Sequence, residues 1–187
     1  GCAPYTTTRR VGPAGAPAAL VATVPREALR WRDTAGGSIV VQLPFRSESG
    51  VVVPQAIRSH ENGRIPKDLL QPCGLRTFTM VEPAARACRA MVAAAAADGV
   101  RLDASGTYRS YEEQLQMFTE RYTTTLLPDR PKRTWKGVDY WLKPGVPSAA
   151  PPGNSFHGWG LAADLARLDA TTLAWLAEHG PTFGFWN

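Results

Sequence analysis

The sequence has little of two residue types that carry chemistry, with three cysteines and three histidines among 187 residues. None of the cysteines stands beside a histidine in a pattern typical of a cysteine nucleophile. No apolar run approaches the roughly 20 residues that a membrane-spanning helix needs. These absences argue against a thiol enzyme and give no transmembrane segment in this sequence.

The cysteine positions leave two questions open. Cys73 and Cys88 are fifteen residues apart, which allows one disulfide in an oxidising compartment, and two buried free thiols are the alternative. Cys2 follows Gly1 at a start without methionine, which is typical of a processed lipoprotein whose cysteine is lipidated. An ordinary cysteine behind a processed start is the plainer interpretation of that pair.

The charge is moderately basic. A formal net charge of +5 and a pI near 9.4 predict attraction to polyanions. The basic residues are scattered and no nucleic-acid-binding motif is present, so we do not expect a nucleic-acid partner. The apolar content of 44% is sufficient for the core of one domain with a small N-terminal addition.

Composition divides the chain into three regions. Residues 1–20 are rich in Thr, Ala, Gly, Pro and Arg without hydrophobic periodicity, which predicts a flexible tail or linker. In the segment 21–60, β-branched runs at 38–43 and 51–53 predict a hairpin or two short strands. Residues 61–187 form the predicted main domain.

Helix signals in the main domain are strong. Residues 82–98 are alanine-rich, which predicts a helix with an apolar core face. Ser110 and Glu113 form a capping-box pattern, so a second helix is expected from Ser110 to about residue 122. Asp169 is the expected cap of a third helix.

Between these helices we expect one strand and one irregular segment. Alternating apolar residues predict a half-buried strand over 100–104. Residues 123–153 contain several prolines and three large aromatics, and we interpret them as a long irregular segment. A flap over a substrate groove and packing on the domain's own surface are the two alternatives for it.

The most informative stretch holds His157 and Asp164, seven residues apart. A continuous strand would point these side chains to opposite faces, and Gly158 and Gly160 disfavour a helix. We therefore predict a chain that bends at the glycines and continues as a short buried strand. In that geometry an imidazole and a carboxylate can converge, as they do around zinc.

A second motif lies upstream, where Tyr108, Arg109 and Ser110 are followed by Gln114. Together with the stretch from His157 to Asp164, it resembles the zinc D,D-peptidases of bacterial cell walls, the VanY-like D-alanyl-D-alanine carboxypeptidases. That group also contains lysostaphin-type enzymes and the hedgehog domain. The family pattern S-x-H-x-x-G-x-A-x-D is matched by Ser155, His157, Gly160, Ala162 and Asp164. Its Y-R-S-x-x-x-Q element is matched by Tyr108, Arg109, Ser110 and Gln114. The resemblance covers roughly residues 60–187.

The resemblance implies a fold and a set of roles. The fold would be α+β, a small antiparallel sheet that carries the site with helices packed on one side. His157 and Asp164 would bind Zn²⁺, and Arg109 would be the catalytic cation that stabilises the oxyanion. Arg109, Gln114 and Ser155 would bind the substrate. If the resemblance is set aside, the alternatives are a surface salt bridge for Arg109, a solvent-facing helix position for Gln114 and a turn position for Ser155.

The resemblance also implies partners and a compartment. The substrates would be peptidoglycan stem peptides, from which a D,D-carboxypeptidase removes the terminal D-Ala. Anionic cell-wall polymers are a further partner consistent with the basic charge. We expect a secreted or cell-envelope protein, with lipid anchoring through Cys2 as one form of attachment.

One family element is missing. Relatives supply a Glu-x-x-His element after the Asp, whose Glu is the general base and whose His is the third zinc ligand. No such element follows Asp164 here, so we expect that the sequence stops before it and that this chain alone hydrolyses poorly. His179 and His60 are weak candidates for the missing ligand. An L-alanyl-D-glutamate endopeptidase and a non-catalytic wall-binding module remain alternative functions.

Overall fold

The structure is a computed structural model that describes residues 38–41, 46–47, 50–51 and 53–186. The predicted tail over 1–20 and Cys2 lie outside these residues. The described part of the chain is an α+β fold with small antiparallel sheets and three α-helices, as predicted. No helix in that part is long and apolar enough to cross a membrane.

The elements follow one another in a simple order. The helices are α1 (Glu82–Ala97), α2 (Tyr111–Arg121) and α3 (Ala170–His179). The strands are β1 (Ser38–Val41), β2 (Arg46–Ser47), β3 (Gly50–Val51), β4 (Leu70–Pro72), β5 (Thr79–Val81), β6 (Asp103–Gly106), β7 (Tyr122–Thr123), β8 (Lys132–Trp135), β9 (Val138–Leu142), β10 (Ala162–Ala166) and β11 (Phe185–Trp186).

The largest sheet has the order β11-β1-β10-β6, with every neighbouring pair antiparallel. Asp164 on β10 stands opposite Ser38 of β1 on one side and Gly106 of β6 on the other. The register shifts directly after Asp164, which re-aims the strand at that residue. Residues 38–41 therefore contribute a strand to the sheet that carries Asp164.

The helix signals are confirmed. The Ser110 hydroxyl accepts from the Glu113 backbone N–H at 3.2 Å, and the Glu113 carboxylate accepts from the Ser110 N–H at 2.8 Å. Asp169 accepts from the Thr172 N–H at 2.7 Å and caps α3. The strand predicted over 100–104 lies two to three residues further along, at β6, because the chain pairs only where it meets β10.

The prediction of an irregular segment over 123–153 was wrong for its middle part. β8 and β9 form a hairpin that joins β7 in a second sheet, with Lys136 and Gly137 both at positive φ in the two-residue turn. Trp135 and Tyr140 from this hairpin pack edge-on against Phe118 of α2. The hairpin thus packs on the domain itself, while residues that follow it line a groove described below.

The core lies between α1 and the strands. Ala84, Cys88, Met91 and Ala95 on α1 are buried, as the helical spacing predicted. Cys73 and Cys88 are both free and buried, which agrees with the free-thiol alternative. The hydrogen bond with Cys73, and then burial, raise the pKa of the Cys88 thiol, while the same contact lowers the pKa of Cys73.

Candidate active site

The backbone around His157 bends as the glycines predicted. His157–Trp159 form a short 3₁₀ turn that ends at Gly160 with φ +64°, and β10 begins two residues later. A Cβ on Gly160 would lie 2.9 Å from the backbone nitrogen of Val81. Only glycine satisfies both this left-handed conformation and this close approach. The turn places His157 shortly before the strand that carries Asp164.

His157 and Asp164 converge. The Nε2 atom of His157 lies 3.2 Å from Oδ1 of Asp164, and the His157 side chain is only 8% exposed. Its Nδ1 atom is 2.7 Å from the backbone carbonyl oxygen of Thr107. Because a carbonyl oxygen only accepts, Nδ1 carries a proton, and Nε2 is the ring nitrogen that faces the carboxylate.

This pair has the chemistry of a partial zinc site. Two donor atoms held about 2.1 Å from a tetrahedral zinc ion lie about 3.4 Å apart, close to the separation of Nε2 and Oδ1. A ligating histidine commonly donates its other N–H to a carbonyl, as His157 does to Thr107. Among the described residues, no group of three His, Cys, Asp or Glu side chains is placed to hold a metal.

The Arg109 side chain contacts two of the other predicted site residues, Asp164 and Gln114. Its Nη2 donates to Oδ2 of Asp164 at 2.9 Å, and its Nη1 donates to Oε1 of Gln114 at 3.1 Å. Its backbone N–H also donates to the carbonyl of His157 at 3.1 Å, which ties the two sequence motifs together. The ion pair with Asp164 is largely shielded from solvent, unlike an ordinary surface salt bridge.

Gln114 is not a solvent-facing helix residue, because its side chain is buried on the groove side of α2. Its Oε1 accepts from Arg109, and its Nε2 donates to the carbonyl of Ala150 at 2.7 Å. Ser155 is also buried, and its hydroxyl accepts from the backbone N–H of His157 at 3.2 Å. That bond belongs to the turn, while the hydroxyl proton stays available for donation.

All five predicted site residues line one open groove of about 540 Å³. Residues 147–150, after the hairpin, line the groove beside α2, since Gln114 and Arg121 donate to carbonyls of this segment. Phe156, 42% exposed, adds an apolar surface, and Arg121 adds a second guanidinium. The lining contains two guanidinium groups, Arg109 and Arg121, and one carboxylate, Asp164, so the groove favours an anionic ligand.

Sequence reasoning missed three contributions to this site: the carbonyl of Thr107, the side chain of Asn62 and the guanidinium of Arg121. Asn62 is buried, and its Nδ2 donates to the carbonyl of Ser155 at 2.7 Å. Arg121 had a readable signal, since it lies seven residues after Gln114 and so on the same helix face.

Tyr108 and His179 have structural contacts. The Tyr108 hydroxyl accepts from the Ile65 N–H at 3.1 Å, and burial raises the pKa of the phenol, which stays neutral. His179 packs on the ring of Trp175 and does not line the groove.

Comparison with known families gives one result. The family model described as VanY, D-alanyl-D-alanine carboxypeptidase, matches residues 77–187, more than half of the chain. The matched range includes both motifs and every predicted site residue. Comparisons with curated proteins and with solved structures give no significant match. The chain belongs to the D-alanyl-D-alanine carboxypeptidase (VanY) family.

Proposed function

We propose that this family member is a zinc-dependent D,D-carboxypeptidase that removes the terminal D-Ala from peptidoglycan stem peptides. The observation that carries the proposal is the 3.2 Å approach of His157 Nε2 to Asp164 Oδ1, with Nδ1 held by the Thr107 carbonyl. An imidazole nitrogen and a carboxylate oxygen at this separation suit one zinc ion. When bound, zinc polarises a scissile carbonyl and lowers the pKa of a water molecule.

Arg109 is the proposed catalytic cation. A guanidinium has five N–H donors and stays charged at every physiological pH, and the bonds to Asp164 and Gln114 use two of those donors. The others are suited to the oxyanion that forms when the amide carbonyl is attacked, or to the terminal carboxylate of the substrate. Gln114 holds the guanidinium in place by accepting from Nη1.

Ser155 and Phe156 are proposed to shape the end of the substrate. The Ser155 hydroxyl accepts from the His157 N–H with one lone pair and keeps its proton for donation to the peptide. The exposed ring of Phe156 offers an apolar surface to a small side chain such as the methyl group of alanine. Both residues lie on the turn that carries His157, so substrate contacts and metal ligation share one rigid segment.

We further propose that the protein works in the cell envelope or outside the cell, where its substrate is located. The basic charge agrees with a surrounding of anionic wall polymers. Attachment through a lipidated Cys2 predicts partition of the natural protein into the membrane fraction. Recovery of the protein in the cytosolic fraction would contradict this location.

The decisive experiment is mass spectrometry of a stem pentapeptide incubated with the full-length protein, with and without a chelator. We expect loss of a single D-Ala, blocked by chelation, restored by added zinc and abolished by Arg109→Ala. Arg133→Ala is the matched control, because Arg133 is exposed on β8 and does not line the groove. It should leave the rate unchanged.

A direct test of the ligands uses zinc binding alone. His157→Ala and Asp164→Asn should each weaken zinc affinity, whereas His60→Ala should not, because His60 does not line the groove. Cleavage between L-Ala and D-Glu would assign the endopeptidase function instead. Binding of the peptide without any cleavage, in zinc-loaded protein, would assign the wall-binding module.

A further inference from the structure

The groove-facing side of α2 extends beyond Gln114. Gln114, Met117 and Arg121 all line the groove, and their spacings of three and four residues place them along one helix face. With a rise of about 1.5 Å per residue, Arg121 lies about 10 Å from Gln114 along the helix axis. The groove therefore carries one guanidinium near the proposed zinc ligands and a second one at a distance.

The two guanidinium groups differ in their partners. Arg109 is paired with the carboxylate of Asp164. Arg121 donates from Nη1 to the carbonyl of Ser148 at 3.3 Å, and within the described part of the chain it forms no ion pair. A single bond of this length to a neutral carbonyl does not offset a full positive charge. Arg121 is only partly buried, so a ligand in the groove can reach it.

The axial distance from Gln114, whose side chain accepts from Arg109, to Arg121 corresponds to a length of peptide. An extended chain covers about 3.3–3.6 Å per residue, so about three residues span 10 Å. Met117, Ala149 and Phe156 line the same groove and provide apolar surface for the intervening residues. A peptide with its cleaved end at Arg109 would therefore bring a residue about three positions earlier beside Arg121.

We infer that Arg121 forms a subsite for a second carboxylate, carried by an acidic peptide substrate about three residues before its C-terminal end. A carboxylate is negatively charged and can accept two parallel hydrogen bonds from a guanidinium. A carboxamide is neutral and has only one acceptor oxygen. This subsite rests on the proposed function, since it takes the substrate's direction from the site at Arg109. It would make the protein select peptides by a free acid remote from the cleaved bond.

The test compares two peptides by NMR titration of the full-length protein, with a chelator present so that binding is measured without turnover. Both are pentapeptides that end in D-Ala-D-Ala, and they differ only in a free carboxylate or a carboxamide three residues before the C-terminal one. We expect the wild-type protein to bind the acid about three- to tenfold more tightly, as a partly exposed charged contact allows.

Substitutions then assign that preference to one residue. Arg121→Met, which retains an apolar stem, should bind both peptides equally, and Arg121→Lys should keep part of the preference. Arg133→Met is the matched control, which removes the same charge outside the groove and should retain the full preference. Circular dichroism of each variant checks that the fold is intact.

The outcomes separate the two proposals. An acid preference that persists in Arg121→Met, or is lost equally in Arg133→Met, overturns the subsite. Equal binding of both peptides by the wild-type protein also overturns it and leaves the proposed function standing. A wild-type protein that binds neither peptide overturns the subsite, whereas failure of the zinc-loaded protein to cleave the pentapeptide overturns the proposed function.

Discussion

Arg109 and His157 share one carboxylate: Nη2 of Arg109 donates to Oδ2 of Asp164 at 2.9 Å, and Nε2 of His157 lies 3.2 Å from Oδ1. The guanidinium therefore orients the carboxylate that we propose as a zinc ligand. Any change at Arg109 is expected to alter metal ligation as well as substrate binding. The metal and substrate proposals are thus coupled through Asp164.

Arg109→Lys should lower zinc affinity about tenfold, as loss of an outer-shell partner commonly does. A lysine ammonium is a point charge that cannot keep two directed bonds to Asp164 and Gln114. Competition with a chromogenic chelator measures the change, and Arg133→Lys is the control. Unchanged zinc affinity in Arg109→Lys would show that Asp164 needs no orientation by Arg109.

Gln114 is expected to act through Arg109, which makes it a positioning residue. Gln114→Ala should lower kcat/KM on the stem pentapeptide, because the guanidinium loses its 3.1 Å partner. If Gln114 acts only in this way, Gln114→Ala should lower kcat/KM little further in a protein that already carries Arg109→Lys. A double-mutant cycle on kcat/KM measures this. Fully additive losses would assign Gln114 an independent contact with the substrate.

The turn at Ser155–Gly158 is clamped by residues 62 and 63. Asn62 donates to the Ser155 carbonyl, and the Gly63 N–H donates to the Gly158 carbonyl at 2.8 Å. Asn62→Ala should reduce the free energy of unfolding by about 1–3 kcal/mol, the usual cost of an unsatisfied buried partner. Urea denaturation measures it.

Gly158→Ala tests the same clamp from the other side. A Cβ at residue 158 would lie 2.1 Å from Oδ1 of Asn62, so the buried amide must move. We expect a destabilised protein with weaker zinc binding, since the moved segment carries His157. Gly137→Ala offers a comparison at a glycine whose added Cβ meets no atom within 4 Å, although its positive φ adds strain of its own. An equally weakened zinc site in Gly137→Ala would contradict the clamp.

Asp103 should make stability depend on pH in the acid range. Hydrogen bonds from Arg76, both at 2.6 Å, hold the pKa of the Asp103 carboxyl well below its ordinary value of 3.8. A lowered folded-state pKa stabilises the fold above pH 3.8, and that stabilisation is lost as pH falls through the lowered value. Asp103→Asn should therefore be less stable than wild type at pH 7, and the difference should shrink below about pH 4.

Thermal unfolding between pH 2 and pH 7 measures this difference. Asp129→Asn, which removes an exposed carboxylate, is the control. A constant difference between Asp103→Asn and wild type across the whole range would contradict the ion pair as the source of stability.

The free thiols of Cys73 and Cys88 predict a labelling pattern. Both side chains are fully buried, so iodoacetamide should modify neither in the folded protein and both after unfolding. Peptide mass spectrometry after labelling distinguishes the sites. Recovery of a linked Cys73–Cys88 peptide from protein unfolded without reductant would show that the natural protein carries the disulfide.

The sequence by itself determined the local features of this protein. The capping box at Ser110 and Glu113 and the cap at Asp169 depend on residues three apart, and the bend at Gly160 depends on a backbone conformation that glycine favours. The meeting of His157 and Asp164 follows from that bend and one short strand. Each of these signals lies within a few residues, so side-chain identity and spacing are sufficient to predict it.

Tertiary structure alone decided the contacts that complete the site. The Thr107 carbonyl that holds His157 is fifty residues away in sequence, and the Asn62 amide lies 93 residues from its partner at Ser155. β1 joins the sheet beside Asp164 only because the chain returns to it. Backbone carbonyls are present at every residue, and distant pairs have no characteristic spacing. The packing of the strands and helices therefore decides which of these distant groups meet, and no local spacing in the sequence predicts the contacts.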